Sequence, residues 1–372
     1  MCAFERSEKG MEFKMNKFVL ILAGGNGTRL WPISIERKPK QFLHLYGNEI
    51  MINETIQRVE KIFNYEDIFI IVNEKQNELA NKYIDFNIPR QNIISEPETK
   101  NTAMCIFYAT LKIKKMKGDG VITVLSTDHY IEENDKLLQN IEDGIKLAIN
   151  TNNLVTIGIQ PLYPATGFGY IKYCTDSKNN CNTVIEFKEK PSYEMAVRYL
   201  QSNEYVWNSG MFIWQERTIL EEFKKYMPNI YNEKQKIYDV INTKYEKKVI
   251  KDIYNHIESI SIDKGILEKA YDIKMIKADF KWMDIGTIND YFKIYPKDNN
   301  GNTIIGDLTI SEEISNTNIL NKSDELLVTI GIKDVNIIKD NNVCVICKKE
   351  NITKLQQVVK DLKKENKYKN YI

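Results

Sequence analysis

Short, uniformly apolar runs alternate with amphipathic stretches through the first half of the chain. Phe18–Ala23, Ile68–Val72, Asn92–Ser95, Val121–Leu125 and Leu154–Ile159 are rich in Ile and Val and lack polar alternation. That is the pattern of strands buried on both faces. Helix candidates lie between them at Met51–Phe63, Gln76–Tyr83, Thr102–Lys115 and Asp135–Asn150. In Thr102–Lys115, Ile106, Ala109, Thr110 and Ile113 share one face at the helical period. Buried strands separated by helices predict an α/β domain with a parallel sheet covered on both sides.

From Gly169 the pattern loosens. Strands with polar alternation (Thr183–Phe187, Trp207–Trp214) mix with helices up to about Ile294, which reads as an antiparallel extension of the same domain. After Tyr295 comes the turn-rich PKDNNGN, and beyond it short strands such as Leu326–Ile330 and Asn342–Ile346. A basic amphipathic helix over Ile352–Asn366 closes the chain. The expected organisation is a disordered tail over 1–16, a catalytic domain over 17–298 and a small β-rich domain over 299–372.

Composition narrows the function classes. Among 372 residues, 52 Lys and Arg against 51 Asp and Glu leave a formal charge of +1, so neither nucleic acid nor an acidic membrane is expected as a partner. With 42% apolar and 28% charged residues the chain reads as an ordinary globular protein. No apolar run approaches the roughly 18–20 residues needed to span a bilayer. Six cysteines without a secretory apolar region read as thiols of a cytoplasmic protein. The opening MCAFERSEKGMEFKMN lacks the marks of a signal or transit peptide and reads as a tail, or as an early start with Met15 the alternative.

The most informative segment is LILAGGNGTRLWPIS. A buried strand runs into Gly24, Gly25, Gly27, Thr28 and Arg29, where glycines let backbone N–H groups approach a phosphate and Arg29 adds a planar cation. The spacing fits neither the Walker loop nor the dinucleotide fingerprint. Eleven residues after Arg29 stands Lys40, in KPKQFL.

These two motifs together resemble the signature of sugar-phosphate nucleotidyltransferases, and most nearly the mannose-1-phosphate guanylyltransferases. Further blocks agree in order: EPETKNTA from Glu96, STDHYI from Ser126, ATGFGYI from Ala165, FKEKP from Phe187, WNSGMF from Trp207, ISIDKGILEK from Ile260 and KWMDIG from Lys281. The resemblance implies a Rossmann-like, GT-A-like mixed sheet followed by a short left-handed β-helix used in homodimerisation. It implies transfer of GMP from GTP to mannose 1-phosphate, with Mg2+ as cofactor and GDP-mannose and pyrophosphate as products. Leu22, Ala23, Gly24, Gly25, Gly27, Thr28, Arg29, Lys40, Glu96, Asn101, Thr102 and Asp128 map onto the nucleotide site. Gly167, Glu189, Lys190 and Asn208 map onto the sugar site, Asp128 and Asp284 onto the metal site, and Arg29, Lys40 and Lys190 onto catalysis. The chain departs from the family at Ser126-Thr127, at Met104 and at Ala165, none of which removes a charge assigned to chemistry. It also falls short of the isomerase domain fused to some relatives, so one activity is expected.

The residues suit such a reaction on their own terms. Taking GTP as about −4 and the sugar phosphate as about −2, one Mg2+ with Arg29, Lys40 and Lys190 supplies about +5. No nucleophilic side chain is needed. Asp128 follows a strand at its carboxyl end and offers Mg2+ a hard oxygen, or else caps a following helix. Neither Asp284 nor Asp128 has a Lys or Arg within two positions in sequence, so two unpaired carboxylates are expected to share the metal. Lys190 should reach the sugar phosphate, Glu189 should accept from two hydroxyls, and Asn208 should offer the ring both a donor and an acceptor. Gly167 should admit the sugar by its small size. By the resemblance, Glu96 is expected to accept from guanine, with Asn101 or Thr102 as base contacts, helix caps or both.

Other features have plain readings. His129 reads as a structural hydrogen-bonding residue rather than a ligand, and Cys344-x-x-Cys347 as small buried hydrophobes rather than zinc ligands. Residues beyond Gly301 carry no charged constellation and are expected to serve assembly more than chemistry. The rival readings are the same chemistry with another sugar 1-phosphate or with UTP or dTTP, and a non-catalytic sugar-nucleotide sensor. The retained charges speak against the sensor.

Overall fold

The computed structural model describes residues 15–25, 27–84, 86–176, 181–340 and 342–372. Most of the predicted tail lies outside them, but its last residue, Asn16, already belongs to the first strand. The buried apolar runs become β1 (Asn16–Leu22), β2 (Ile68–Asn73), β3 (Ile93–Glu96) and β4 (Gly120–Ser126), mutually parallel in the order β3-β2-β1-β4. After a short strand β5 (His129–Ile131) come β6 (Val155–Ile159), β7 (Gly169–Asp176), β8 (Cys181–Glu189), β9 (Tyr205–Gln215) and β10 (Lys274–Lys277). These last five continue one nine-stranded sheet as β9-β6-β10-β8-β7, with β9 antiparallel to both β4 and β6.

Two predicted patterns differ from what forms. The alternation expected of Trp207–Trp214 holds from Trp207 to Gly210 and then stops: Met211 to Gln215 are buried in succession. The reason is position, since β9 sits inside the sheet between β4 and β6. One face of the sheet and the helices beyond it are joined by α3 (Asn101–Lys117), which follows α1 (Met51–Val59) and α2 (Asn77–Tyr83) in the chain. It has no single apolar face, because Ala103 to Ile113 are all buried. Its core partners include Leu20 and Phe69 of the sheet and Phe223, Ile253 and Tyr254 of the helices Glu216–Tyr226 and Glu246–His256. Each such large apolar side chain contributes about 1.5–3 kcal/mol by leaving water. The opposite face of the sheet is covered by α1, α2 and α4 (Asn134–Thr151), whose Ile52, Ala80 and Ile141 pack with Val19, Ile70 and Val121.

A separate antiparallel ribbon pairs β5 with β11 (Trp282–Asp284), setting Asp284 opposite His129. Beyond it the chain coils. Strands β12 (Thr303–Ile305), β14 (Asn318–Asn321) and β16 (Val335–Asp340) pair in parallel, while β13 (Thr309–Glu312) and β15 (Leu327–Ile330) pair in parallel beside them. Equivalent residues recur eighteen positions apart: Asn318 Nδ2 donates to Asn336 Oδ1 at 2.9 Å, and Ser311 and Thr329 share a hydroxyl hydrogen bond of 2.9 Å. The last strand, β17 (Val343–Lys348), turns back antiparallel to β16.

The closing segment is not one helix over Ile352–Asn366. Tight turns at Lys349–Lys354 and Asn366–Tyr371 flank an α-helix at Leu355–Leu362. Cys344 is exposed and Cys347 half-buried, so neither is the buried hydrophobe expected. Three positions apart on a strand, they point to opposite faces.

The coil also packs against the segments that carry the site. Its Leu320, Ile338 and Ile352 pack in one cluster with Leu30 and Ile33 of the glycine-rich segment, Leu43 of KPKQFL and Ile285 beside Asp284. Val359 packs with Trp31 and Ile35, and Trp31 Nε1 donates to the Tyr371 carbonyl at 2.6 Å. The segment that carries Arg29 is therefore braced from behind by residues 320–371.

Candidate active site

Strands β1 and β4 are neighbours, and their last residues, Leu22 and Ser126, lie side by side. Beyond β1 the order continues to β2 and beyond β4 to β9, so the chain diverges at this edge. Open α/β sheets bind ligands at such a point. The glycine segment leaves β1 there and Asp128 leaves β4 there, and a cavity of 470 Å3 opens between them. Leu22, Gly24, Gly25, Gly27, Arg29, Lys40, Glu96, Asn101, Thr102 and Asp128 all line it. Ala23 is buried beneath it.

Glycine is required at one of these positions. Gly27 has φ +61°, and a Cβ there would stand 2.5 Å from Ser34 Oγ and 3.0 Å from the Lys40 nitrogen. A Cβ on Gly24 would stand 2.6 Å from Glu96 Oε1, so the Glu96 carboxyl would have to shift to admit a side chain there. Gln41, quoted in KPKQFL but given no role in the sequence reading, holds the loop from below. Its Nε2 donates to the Ala23 carbonyl at 2.6 Å, the Gly25 carbonyl at 3.0 Å and Gln76 Oε1 at 2.8 Å.

Glu96 is buried at the base of the cavity, and Tyr254 donates to its Oε2 at 3.3 Å. Burial pushes its carboxyl up to about 8, against the Tyr254 hydrogen bond that lowers it. Cys105, buried and lining the same cavity, escaped the sequence reading. The helix-cap reading of Asn101 and Thr102 does not hold. Lys100 precedes α3, Asn101 takes φ +62° with its Oδ1 bonded to the next N–H, and Thr102 Oγ1 accepts from the Ile262 N–H at 2.9 Å.

The expectation of two unpaired carboxylates is also corrected. Lys40 Nζ forms an ion pair with Asp128 Oδ2, and Ser126 donates to Asp128 Oδ1. Burial opposes ionisation of Asp128, yet Lys40, His129 and these hydrogen bonds outweigh it and hold the carboxyl below the usual carboxylate range. No helix follows Asp128 directly, so it caps none. Asp284 reaches it along the β5–β11 ribbon rather than from an end of the main sheet, and Ile285 N–H donates to the Asp128 carbonyl at 3.0 Å. Burial and the Asp128 charge push Asp284 up to about 7, and its buried Oδ1 has no hydrogen-bond partner. An orphaned carboxylate oxygen beside an ionised aspartate suits a hard divalent cation such as Mg2+ that completes its shell with phosphate and water. Among the described residues no cluster of three or more His, Cys, Asp or Glu could hold a metal.

His129 packs its ring edge-on against Trp282 at 5.2 Å, and burial keeps it neutral by lowering it to about 4.

A second cavity, of 230 Å3, adjoins the first and shares Leu22, Thr102, Ser126 and Asp128 with it. Gly167, Glu189, Asn208 and Asp284 line it, together with Asp263, to which the sequence reading gave no role. A Cβ on Gly167 would meet nothing within 4 Å, so its small size is not what the fold demands there. The crowded glycine is Gly169, where a Cβ would stand 2.7 Å from Glu189 Oε2. Lys190 lines neither cavity: it is well exposed and donates to Glu189 Oε1 at 2.7 Å. Asn208 is already half engaged, with Nδ2 donating to Asp263 Oδ1 at 2.7 Å and Oδ1 accepting from the Gly210 N–H at 3.1 Å.

This arrangement is similar to known proteins. A family model described as nucleotidyl transferase matches residues 18–301. A mannose-1-phosphate guanylyltransferase of Klebsiella pneumoniae is 32% identical over 355 residues, covering 94% of this chain and 74% of its own length. One of Escherichia coli is 34% identical over 353 residues, covering 92% and 75%. A solved structure from Thermus thermophilus, described as a mannose-1-phosphate geranyltransferase, matches 94% of this chain and 100% of its own, with TM-score 0.83 and 25% identity. The chain belongs to the nucleotidyl transferase family.

Proposed function

We propose that this protein transfers GMP from GTP to mannose 1-phosphate, giving GDP-mannose and pyrophosphate. The observation that carries the reading is the pair of adjoining cavities that share Leu22, Thr102, Ser126 and Asp128. One is walled by a glycine loop with Arg29 and Lys40, the other by Glu189, Asn208 and Asp263, so a nucleoside triphosphate and a phosphosugar meet at Asp128. The relatives' names supply the substrates.

In this mechanism an oxygen of the sugar phosphate attacks the α-phosphorus of GTP in line with the departing pyrophosphate. The protein aligns two polyanions and neutralises their charge. The glycine loop's N–H groups and Arg29 hold the triphosphate. Lys40 moves from Asp128 towards phosphate as ligands enter, and Lys190 leaves Glu189 for the sugar phosphate, freeing both Glu189 oxygens for hydroxyls. Glu96, once ionised, accepts from the guanine edge, with Asn101 and Thr102 beside it. Asp128 and Asp284 would hold Mg2+, which supplies positive charge to the phosphates. A cytoplasmic homodimer fits this reading, and the half-exposed Ile310, Val328 and Ile330 on β13 and β15 offer an apolar face for a second copy.

The test is pyrophosphate release from a panel of GTP, UTP, dTTP and ATP against mannose, glucose and galactose 1-phosphates. GTP with mannose 1-phosphate is expected to be the best pair. A clear preference for UTP or dTTP overturns the base assignment, and release with no sugar 1-phosphate overturns the reaction.

A further inference from the structure

Asp263 lines the second cavity from a segment that is tied to a residue common to both cavities. Ile260 and Ile262 are tied to the start of α3: the Ala103 N–H donates to the Ile260 carbonyl at 3.2 Å, and the Ile262 N–H donates to Thr102 Oγ1 at 2.9 Å. Thr102 lines both cavities. The next residue, Asp263, opens one wide π-turn, Asp263–Leu267, closed by the Glu268 N–H on the Asp263 carbonyl at 2.9 Å. Such turns are uncommon and gather at functional sites. Here the turn leaves the Asp263 side chain lining the sugar cavity.

That side chain sets the orientation of another. An amide has two hydrogens and two lone pairs to offer. Asp263 Oδ1 takes one hydrogen of Asn208, and the Gly210 N–H takes one lone pair. With both ends engaged the amide cannot turn over, and one hydrogen and one lone pair are left for a ligand. Glu189 lines the same cavity, its Oε2 lodged in the space that a side chain at Gly169 would fill. Burial and the Glu189 charge together raise the Asp263 carboxyl to about 6, the mark of two acids crowded around one small volume. Two acceptors flanking a fixed amide suit a ligand that brings several hydroxyl donors.

We propose that Asp263 is a positioning residue for the sugar phosphate: it locks the Asn208 amide so that Asn208 and Glu189 receive the ring hydroxyls of a hexose 1-phosphate in one orientation. The proposal rests on the transferase reading above. It ties sugar placement to the nucleotide side through Ile262 and Thr102, so the ring is held against the end of the sheet where the α-phosphorus lies.

The test compares the parent with Asp263→Ala, Asn208→Ala and the double variant, each with the parent's best sugar 1-phosphate. Using the best sugar keeps the two claims apart, because a sugar other than mannose overturns the mannose assignment and leaves Asp263 to be judged. Asp263→Ala, which removes the acceptor, should raise KM for the sugar phosphate at least tenfold, with KM for GTP within twofold of the parent. In the Asn208→Ala background the same change should add less than twofold, since the group it orients is gone. Equal rises in both KM values, an unchanged sugar KM, or independent multiplication of the two effects overturns the proposal. Should Asp263→Ala fail to fold, Asp263→Leu, which fills the same space and also offers no acceptor to Asn208, is measured instead. Failure of both to fold makes Asp263 a folding residue and also overturns it.

Discussion

Lys40 and Asp128 form an ion pair across 88 positions of sequence, joining the segment after β1 to the turn after β4. Their side chains are 9% and 20% exposed, so the pair is largely withdrawn from water. Removing one member of such a pair strands the other's charge, at a cost of about 3–5 kcal/mol.

Lys40→Met therefore leaves Asp128 ionised next to Asp284 with no counter-charge. The expected result is a clear fall in thermal stability and at least a hundredfold loss of turnover. The double variant Lys40→Met with Asp128→Asn should regain most of the stability and none of the activity. Thermal unfolding and pyrophosphate release on the four proteins of that cycle check it. Recovery of activity in the double variant would show that Lys40 serves only Asp128.

Why some of this was legible in the sequence and some was not has a physical basis. The parallel strands β1 to β4 announce themselves because strands buried on both faces consist of unbroken Ile and Val. The glycine segment and Lys40 sit at a strand end and in a linear motif, so their place at the cavity could be anticipated. Asp284 could be matched to Asp128 by resemblance, but the ribbon that joins them is two strands of three residues each, too short to carry a periodicity. The Lys40–Asp128 pair left no trace, because opposite charges 88 residues apart pair only through the tertiary fold. The second half of strand β9 and the polar positions of helix α3 escaped for one common reason. β9 lies between β4 and β6, and α3 lies between the sheet and the helices Glu216–Tyr226 and Glu246–His256, which removes the polar face that pattern reading looks for.

Glu96 gives a pH dependence with a definite sign. Its carboxyl holds a proton up to about 8 in the folded protein, against 4.5 when exposed. The native state thus binds more protons between those values, and this contribution to stability is full below about pH 4.5 and is lost as pH rises through 8. Accepting from guanine needs the ionised form, so KM for GTP should fall as pH rises from about 7 to about 9. Glu96→Gln should abolish both slopes and weaken GTP binding. A parent whose KM for GTP rises over that range would exclude Glu96 as the guanine acceptor.

Ile338 belongs to the coil, yet it packs in the cluster that holds Leu30 and Ile33 behind Arg29. Ile338→Ala should cost about 2–5 kcal/mol of stability as a buried cavity. It should also raise KM for GTP severalfold, because the loop loses its brace. Stability measured by denaturant and KM measured well below the unfolding range separate the two effects. An unaltered KM would return residues beyond 301 to a role in assembly alone.

The central claim is that the α-phosphorus of GTP passes to the sugar phosphate at Asp128. Incubating the protein with Mg2+, mannose 1-phosphate and GTP labelled at either the α- or the γ-phosphorus tests it most directly. The account predicts that the α-label appears in GDP-mannose and the γ-label in pyrophosphate, with one sugar nucleotide made for each pyrophosphate released. Label from the γ-position in a sugar product, or from the α-position in free phosphate alone, would contradict it.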